Sequence, residues 1–167
     1  MKIVYDLDGV LRSLYPVVRR QFGLWCPNEY FDWDKKGYNI YDMVKKDYSI
    51  LTRAKPTKYV KVINDYLKTN KEMIEIWSWQ PQDWITPTSK WIRQYVPNHV
   101  AYWLKPPEKY SRLLKEKDTI LVDDYPSHPN YDKIWLIDAP YNKKVKCKVR
   151  ISTVQDLRNR LKEIENG

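Results

Sequence analysis

Two aspartates one residue apart, Asp6 and Asp8 in MKIVYDLDGVLR, close an apolar run and are followed by Gly9. Charges at the end of a buried-looking strand are costly for folding, so they call for a chemical purpose. For both carboxylates to serve one site the chain must turn here, and Gly9 permits a backbone that other residues avoid. One carboxylate can then act as a nucleophile while the other manages protons. A second acidic pair, Asp123-Asp124, ends another apolar run. Four carboxylates brought together repel one another strongly unless a cation neutralises them, and oxygen ligands with room for water and phosphate suit Mg2+. A nearby lysine would balance the remaining charge and hold a phosphate. In LKPPEKYSRLL both Lys105 and Lys109 qualify.

The elements that must position these groups are legible in the apolar spacing. Five short runs read as strands: residues 2–5, 73–77, 100–104, 119–122 and 133–137. Three of them lead into polar groups suited to a site, namely Asp6, Ser78 and the Asp123-Asp124 pair. Helix-like segments alternate with the strands. Pro56 precedes Tyr59, Val60, Val62, Ile63, Tyr66 and Leu67, which predicts a helix opening at that proline. Thr86-Pro87 opens a second, Pro106-Pro107 a third, and the last begins near Thr153 with Val154, Leu157, Leu161 and Ile164 on one face. Alternating strands and helices imply a mostly parallel sheet covered on both sides, with ligands bound beyond the carboxyl ends of the strands.

The 167 residues suffice for one domain with a real core. A content of 43% hydrophobic and 31% charged residues fits a soluble globular protein. No stretch approaches the roughly 18 apolar residues of a membrane span, and the first strand starts too early for a signal peptide. The two cysteines, Cys26 and Cys147, have neither disulfide-framework nor zinc spacing, so a reducing, cytoplasmic compartment is expected. The net charge of +9 attracts polyanions and small phosphorylated molecules. Aromatic usage is skewed, with 14 Tyr and 8 Trp against 2 Phe, and such rings either fill the core or stack on bases with a polar tip in water.

Residues 13–55 break the strand–helix rhythm with Trp25, Tyr30, Phe31, Trp33, Tyr38, Tyr41 and Tyr48, interleaved with Lys35, Lys36, Lys45 and Lys46. Long structureless loops are uncommon in compact domains. The segment therefore reads as a small, mostly helical cap inserted after the first strand. Residues 1–12 and 56–167 form the core domain.

The stretch DLDGVL at Asp6–Leu11 resembles the first motif of the haloacid dehalogenase-like (HAD) superfamily, a hydrophobic strand followed by D-x-D-G-[TV]-[LV]. IWS ending at Ser78 is similar to the second motif, and ILVDDYP with Asp123 and Asp124 to the fourth. The resemblance implies a three-layer Rossmann-like α/β fold and a phosphatase mechanism. Asp6 attacks phosphorus to form an aspartyl-phosphate. Asp8 protonates the leaving oxygen and then activates water. Ser78 and the third-motif lysine, Lys109 or Lys105, hold the phosphoryl oxygens. Asp6, the backbone carbonyl of Asp8 and Asp124 would ligate Mg2+, with Asp123 supporting the site or orienting Lys109. DDYP, IDAPYN and FDWDKKG resemble stretches of the 5′(3′)-deoxyribonucleotidase group, which implies a nucleoside monophosphate substrate. Trp79 and Gln80 stand next to Ser78 as candidate substrate contacts, and Arg12, Arg19-Arg20 and His128 are charged neighbours of the motifs. Two rival readings follow the net charge. In one the enzyme removes phosphate from polynucleotide ends, and in the other a HAD scaffold serves as a nucleic-acid-binding module.

Overall fold

A computed structural model of the chain describes residues 1–21, 39–70 and 73–166. Trp25, Cys26, Tyr30, Phe31, Trp33, Lys35, Lys36 and Tyr38 lie outside the described residues. In chain order the elements are β1 (Lys2–Tyr5), β2 (Arg12–Ser13), α1 (Leu14–Gln21), α2 (Ile40–Lys46), α3 (Ser49–Arg53), β3 (Lys55–Pro56) and α4 (Val60–Asn70). There follow β4 (Ile74–Ser78), α5 (Ile85–Tyr95), β5 (His99–Trp103), α6 (Pro106–Lys115), β6 (Thr119–Asp123), β7 (Ile134–Ile137), β8 (Val149–Ile151) and α7 (Val154–Glu165).

Six strands form one sheet in the order β5-β4-β1-β6-β7-β8, every neighbouring pair parallel. Period-two side-chain alternation splits the strands between two faces. Tyr5, Ile74, Ile76, Val122, Trp135 and Ile137 point to one face and pack under Val60, Ile63 and Leu67 of α4, Trp91 and Ile92 of α5, and Leu157 and Leu161 of α7. Val4, Trp77, Leu121 and Ile134 point the other way and meet Leu113 of α6. The result is the expected helix–sheet–helix sandwich.

A separate small core gathers Leu14 and Val18 of α1, Met43 and Val44 of α2, and Ile50 and Leu51 of α3 around Trp84. Its chain ends meet as the antiparallel pair β2–β3, with Arg12 opposite Pro56 and Ser13 opposite Lys55. Pro56 therefore does not open a helix. It sits in β3, and α4 begins four residues later, after Thr57 accepts from Tyr59 N through its hydroxyl at 3.3 Å. Proline fits a two-residue edge pairing because it has no donor to lose there. Further on, α5 starts at Ile85, one residue ahead of Thr86-Pro87. In contrast α6 starts at Pro106 and α7 follows Thr153, whose hydroxyl accepts from Asp156 N at 3.1 Å.

The chain runs outward from β1 to β4 and β5, then crosses back to β6, β7 and β8. The direction reverses between β1 and β6, which sit side by side. In open parallel sheets the crevice at such a switch point, outside the carboxyl ends of the strands, is where ligands bind.

Candidate active site

β1 and β6 are in register from Lys2 opposite Thr119 to Tyr5 opposite Val122, and Asp6 N donates to Val122 O at 2.9 Å. Asp6 and Asp123 thus leave the sheet side by side. Past Asp6 the chain curls tightly: Leu11 N and Arg12 N both donate to Leu7 O, at 2.8 and 2.7 Å, and Gly9 N donates to Arg12 O at 2.9 Å. Leu7, Val10 and Leu11 are fully buried and anchor the curl, which explains the apolar residues interleaved with the charges. Gly9 takes φ +88°, and a Cβ there would lie 1.8 Å from Asp124 Oδ2. Glycine is required twice over, for its backbone and for the space it leaves Asp124.

Lysine enters from α6. Lys105 sits at the N-cap, where its own backbone N–H donates to Glu108 Oε2 at 2.9 Å, and its side chain is exposed. Lys109, one turn later, is buried, and its Nζ lies 2.6 Å from both Asp6 Oδ1 and Asp123 Oδ2. Of the two candidate lysines, the structure brings Lys109 to the acidic residues. Asp123 is held further by Tyr125 N, which donates to its Oδ1 at 3.0 Å, and by His128 Nε2 at 3.4 Å from Oδ2. His128 stands between the rings of Tyr125 and Tyr131, edge-on to both.

Oxygen atoms of Asp6, Asp123 and Asp124 all lie within 4.8 Å of one another. Lys109 offsets only part of this charge. Burial, then the negative charge of Asp123, pushes the Asp6 carboxyl up to about 7 against the pull of Lys109. Burial and the charges of Asp123 and Asp6 push Asp124 well above the carboxylate range. Asp123 is held low, because Lys109 overrides its burial. The same two carboxylates hold the Lys109 ammonium charged despite its own burial. Crowded hard-oxygen donors with excess negative charge fit a divalent cation, and Asp123 is already committed to Lys109 and Tyr125, leaving Asp6 and Asp124 to hold it. The Asp124 carboxylate also accepts a close hydrogen bond from the Tyr141 hydroxyl, and its backbone carbonyl accepts from Asn142 Nδ2 at 2.9 Å.

Asp8 does not join this cluster. Its two oxygens face Arg12, with Nε 2.7 Å from Oδ1 and Nη2 2.9 Å from Oδ2, and Gln80 Nε2 donates to Oδ2 at 2.9 Å. The four-carboxylate cluster anticipated from the sequence is a three-carboxylate cluster with Asp8 beside it. Arg12, a charged neighbour of the first motif, is fully buried. Ser78, at the end of β4, is buried with its hydroxyl 3.4 Å from Gln80 Nε2. Trp79 is exposed and packs edge-on against Tyr41 of α2, ring centroids 5.3 Å apart. Tyr141 and Asn142 were not anticipated as site residues. Their sequence signals are the IDAPYN stretch, read above only as a resemblance, and the place of the PYN turn just after β7 ends.

No protein-family model matches the chain, and no curated protein matches its sequence. Solved structures do. A candidate β-phosphoglucomutase from Thermotoga maritima aligns at 15% identity and TM-score 0.62, covering 98% of this chain and 100% of that one. A HAD family hydrolase from Deinococcus radiodurans R1, with bound phosphate and sodium, aligns at 12% identity and TM-score 0.60, covering 98% and 96%. A candidate phosphoglycolate phosphatase from Lactobacillus delbrueckii subsp. bulgaricus aligns at 10% identity and TM-score 0.59, covering 96% and 97%.

Proposed function

With the Rossmann-like fold of the HAD hydrolases as its frame, we propose that the chain is a metal-dependent phosphohydrolase that cleaves phosphomonoesters through an aspartyl-phosphate at Asp6. The observation that supports it most is Lys109 Nζ at 2.6 Å from both Asp6 and Asp123, at the carboxyl ends of adjacent strands where the sheet changes direction. Asp6 attacks phosphorus while the bond to the leaving oxygen breaks, and Asp8 supplies that oxygen with a proton. Water then attacks the phosphoryl group on Asp6, its proton passing to Asp8, and Asp6 is regenerated. The Ser78 hydroxyl and the Lys109 ammonium donate to the phosphoryl oxygens as charge develops on them. A divalent cation, Mg2+ on the chemistry of the donors, would be held by Asp6, Asp124 and the Asp8 carbonyl, and would supply positive charge against the phosphoryl group.

The favoured substrate is a nucleoside monophosphate. Trp79 beside Ser78 supports this, because an exposed ring next to a phosphate site, backed edge-on by the half-buried Tyr41, offers a stacking surface for a base. A second substrate, the phosphorylated end of a polynucleotide, is favoured by the exposed Lys144, Lys146 and Lys148, which follow the PYN turn. The free, half-buried thiol of Cys147 accords with the cytoplasmic setting we propose. Phosphate release from mononucleotides, sugar phosphates and 3′-phosphorylated oligonucleotides, with and without Mg2+, tests the reading. Turnover that survives Asp6→Asn, or no Mg2+-dependent turnover of any phosphomonoester, overturns it.

A further inference from the structure

Arg12 is an unusual residue to find wholly buried, and its guanidinium makes five hydrogen bonds to four partners. Nε and Nη2 grip the two oxygens of Asp8 at 2.7 and 2.9 Å, and Nη2 also reaches Gln80 Oε1 at 3.3 Å. Nη1 donates to Thr88 Oγ1 of α5 at 3.0 Å and to the Leu51 carbonyl of α3 at 3.3 Å. All five N–H groups of the fork are thereby used. Gln80 closes the circuit, since its Nε2 donates to Asp8 at 2.9 Å and its Oε1 accepts from the Thr88 hydroxyl at 3.3 Å. The planar face of Arg12 lies 5.8 Å from the Trp91 ring. Burying a charge this completely is expensive, and apolar residues would serve stability alone as well or better. The fork therefore acts on what it holds.

We propose that Arg12 is the positioning residue for leaving-group departure: its bidentate grip, anchored on Thr88 and the Leu51 carbonyl, fixes Asp8 where the leaving oxygen collects its proton. This rests on the role of Asp8 given above. In that step the Asp6–phosphorus bond forms and the bond to the leaving oxygen breaks. The electron pair stays on that oxygen and takes the proton carried on Asp8 Oδ1, since Oδ2 already accepts from both Arg12 and Gln80. A lysine cannot replace the grip, because a point charge has no fork. The anchors lie on α3 and α5, so the orientation of Asp8 depends on the packing of the small core that holds α3 against the helix α5 that covers the sheet.

The test is a double-mutant cycle with two substrates that differ in their need for an acid. Alkyl phosphomonoesters leave as poor leaving groups and require the proton, whereas 2,4-dinitrophenyl phosphate leaves without one. With Mg2+ present, kcat/KM is measured for the wild type, Arg12→Lys, Asp8→Asn and the double variant. Arg12→Lys should lower kcat/KM about 10²-fold for the alkyl ester and by less than about threefold for the dinitrophenyl ester. In the Asp8→Asn background it should cost nothing further on either substrate. Equal losses on the two esters, or a loss that persists without Asp8, shows Arg12 to be structural only and overturns the proposal. Should Arg12→Lys fail to fold, Thr88→Val removes one anchor at constant shape. A loss confined to the alkyl ester then supports the proposal, and a uniform loss or none overturns it. If the wild type hydrolyses neither ester, the phosphatase reading falls and this proposal with it; if it hydrolyses both, only the Arg12 result is at stake.

Discussion

Replacing Gly9 with alanine probes the geometry of the carboxylate cluster without touching a charge. A Cβ at that position would lie 1.8 Å from Asp124 Oδ2, 2.4 Å from Cγ and 2.9 Å from Oδ1. No such contact can persist, so the Asp124 carboxyl must swing away. It is buried and hydrogen-bonded to Tyr141, so the swing also breaks that hydrogen bond. The positive φ adds a strain of about 1–2 kcal/mol for a residue with a Cβ, and the lost bond about 0.5–1.5 kcal/mol. Together these leave a metal-free loss of about 1–3 kcal/mol. At about 2–4 °C per kcal/mol for a chain of this size, Tm falls by roughly 2–12 °C. Cation affinity should fall more tellingly, by at least the roughly 10–100-fold seen when a ligand's support is removed. In melts at a Mg2+ concentration about 100 times the wild-type Kd, the wild type gains about 2.7 kcal/mol and the variant only about 0.4–1.4 kcal/mol. Differential scanning fluorimetry across a Mg2+ series reads both numbers. A Gly9→Ala protein that melts like the wild type and gains as much from Mg2+ would refute the placement of Asp124.

Further outcomes follow from the same site. Lys109→Met leaves Asp6 and Asp123 uncompensated and should cost about 3–5 kcal/mol, more at pH 8 than at pH 5, as read by urea denaturation at the two pH values. For Asp6, burial, aided by the charge of Asp123, raises the carboxyl from its ordinary 3.8 to about 7. The folded state therefore holds this proton more tightly than the unfolded chain, and metal-free stability declines as pH rises between those values. A cation must displace this proton and the one that burial and acidic neighbours keep on Asp124, so Mg2+ affinity should climb as pH rises through about 7, with proton release visible by calorimetry in buffers of different ionisation heat. Trp79→Ala should raise KM for mononucleotides by the equivalent of about 1–3 kcal/mol of stacking and leave glycerol phosphate unaffected, as steady-state kinetics will show. Thr153→Ala removes the hydroxyl cap of α7 and should cost about 0.5–2 kcal/mol in thermal melts.

The sheet was legible because its central strands are short, apolar and bounded by turn residues or by charge. Strand β8 was not, since Val149–Ile151 is three residues long at a sheet edge, within a lysine-rich run. Nor was the β2–β3 pair, whose partners lie far apart in sequence and whose proline mimics a helix start. At the site, Asp6, Asp123 and Asp124 could be read from their places at strand ends. The choice of Lys109 over Lys105 needed the turn of α6 that buries one side chain and leaves the other in solvent. The side chain of Asp8 stands outside the cluster of Asp6, Asp123 and Asp124, because β1 ends at Tyr5 and the curl around Leu7 sends Asp6 and Asp8 to different partners. Local sequence carries no sign that Arg12 is buried, since its anchors are Leu51, Gln80 and Thr88, contributed from distant parts of the chain.

The role of Asp6 is open to direct capture. An Asp8→Asn protein with Mg2+ and 2,4-dinitrophenyl phosphate needs no acid to form the covalent species but lacks the base to hydrolyse it. After an acid quench, mass spectrometry should find one phosphoryl group on the peptide containing Asp6, labile to hydroxylamine as an acyl phosphate is, with a matching burst of dinitrophenol. A burst with the phosphoryl group on Ser78, on His128 or on no residue would contradict Asp6 as the nucleophile.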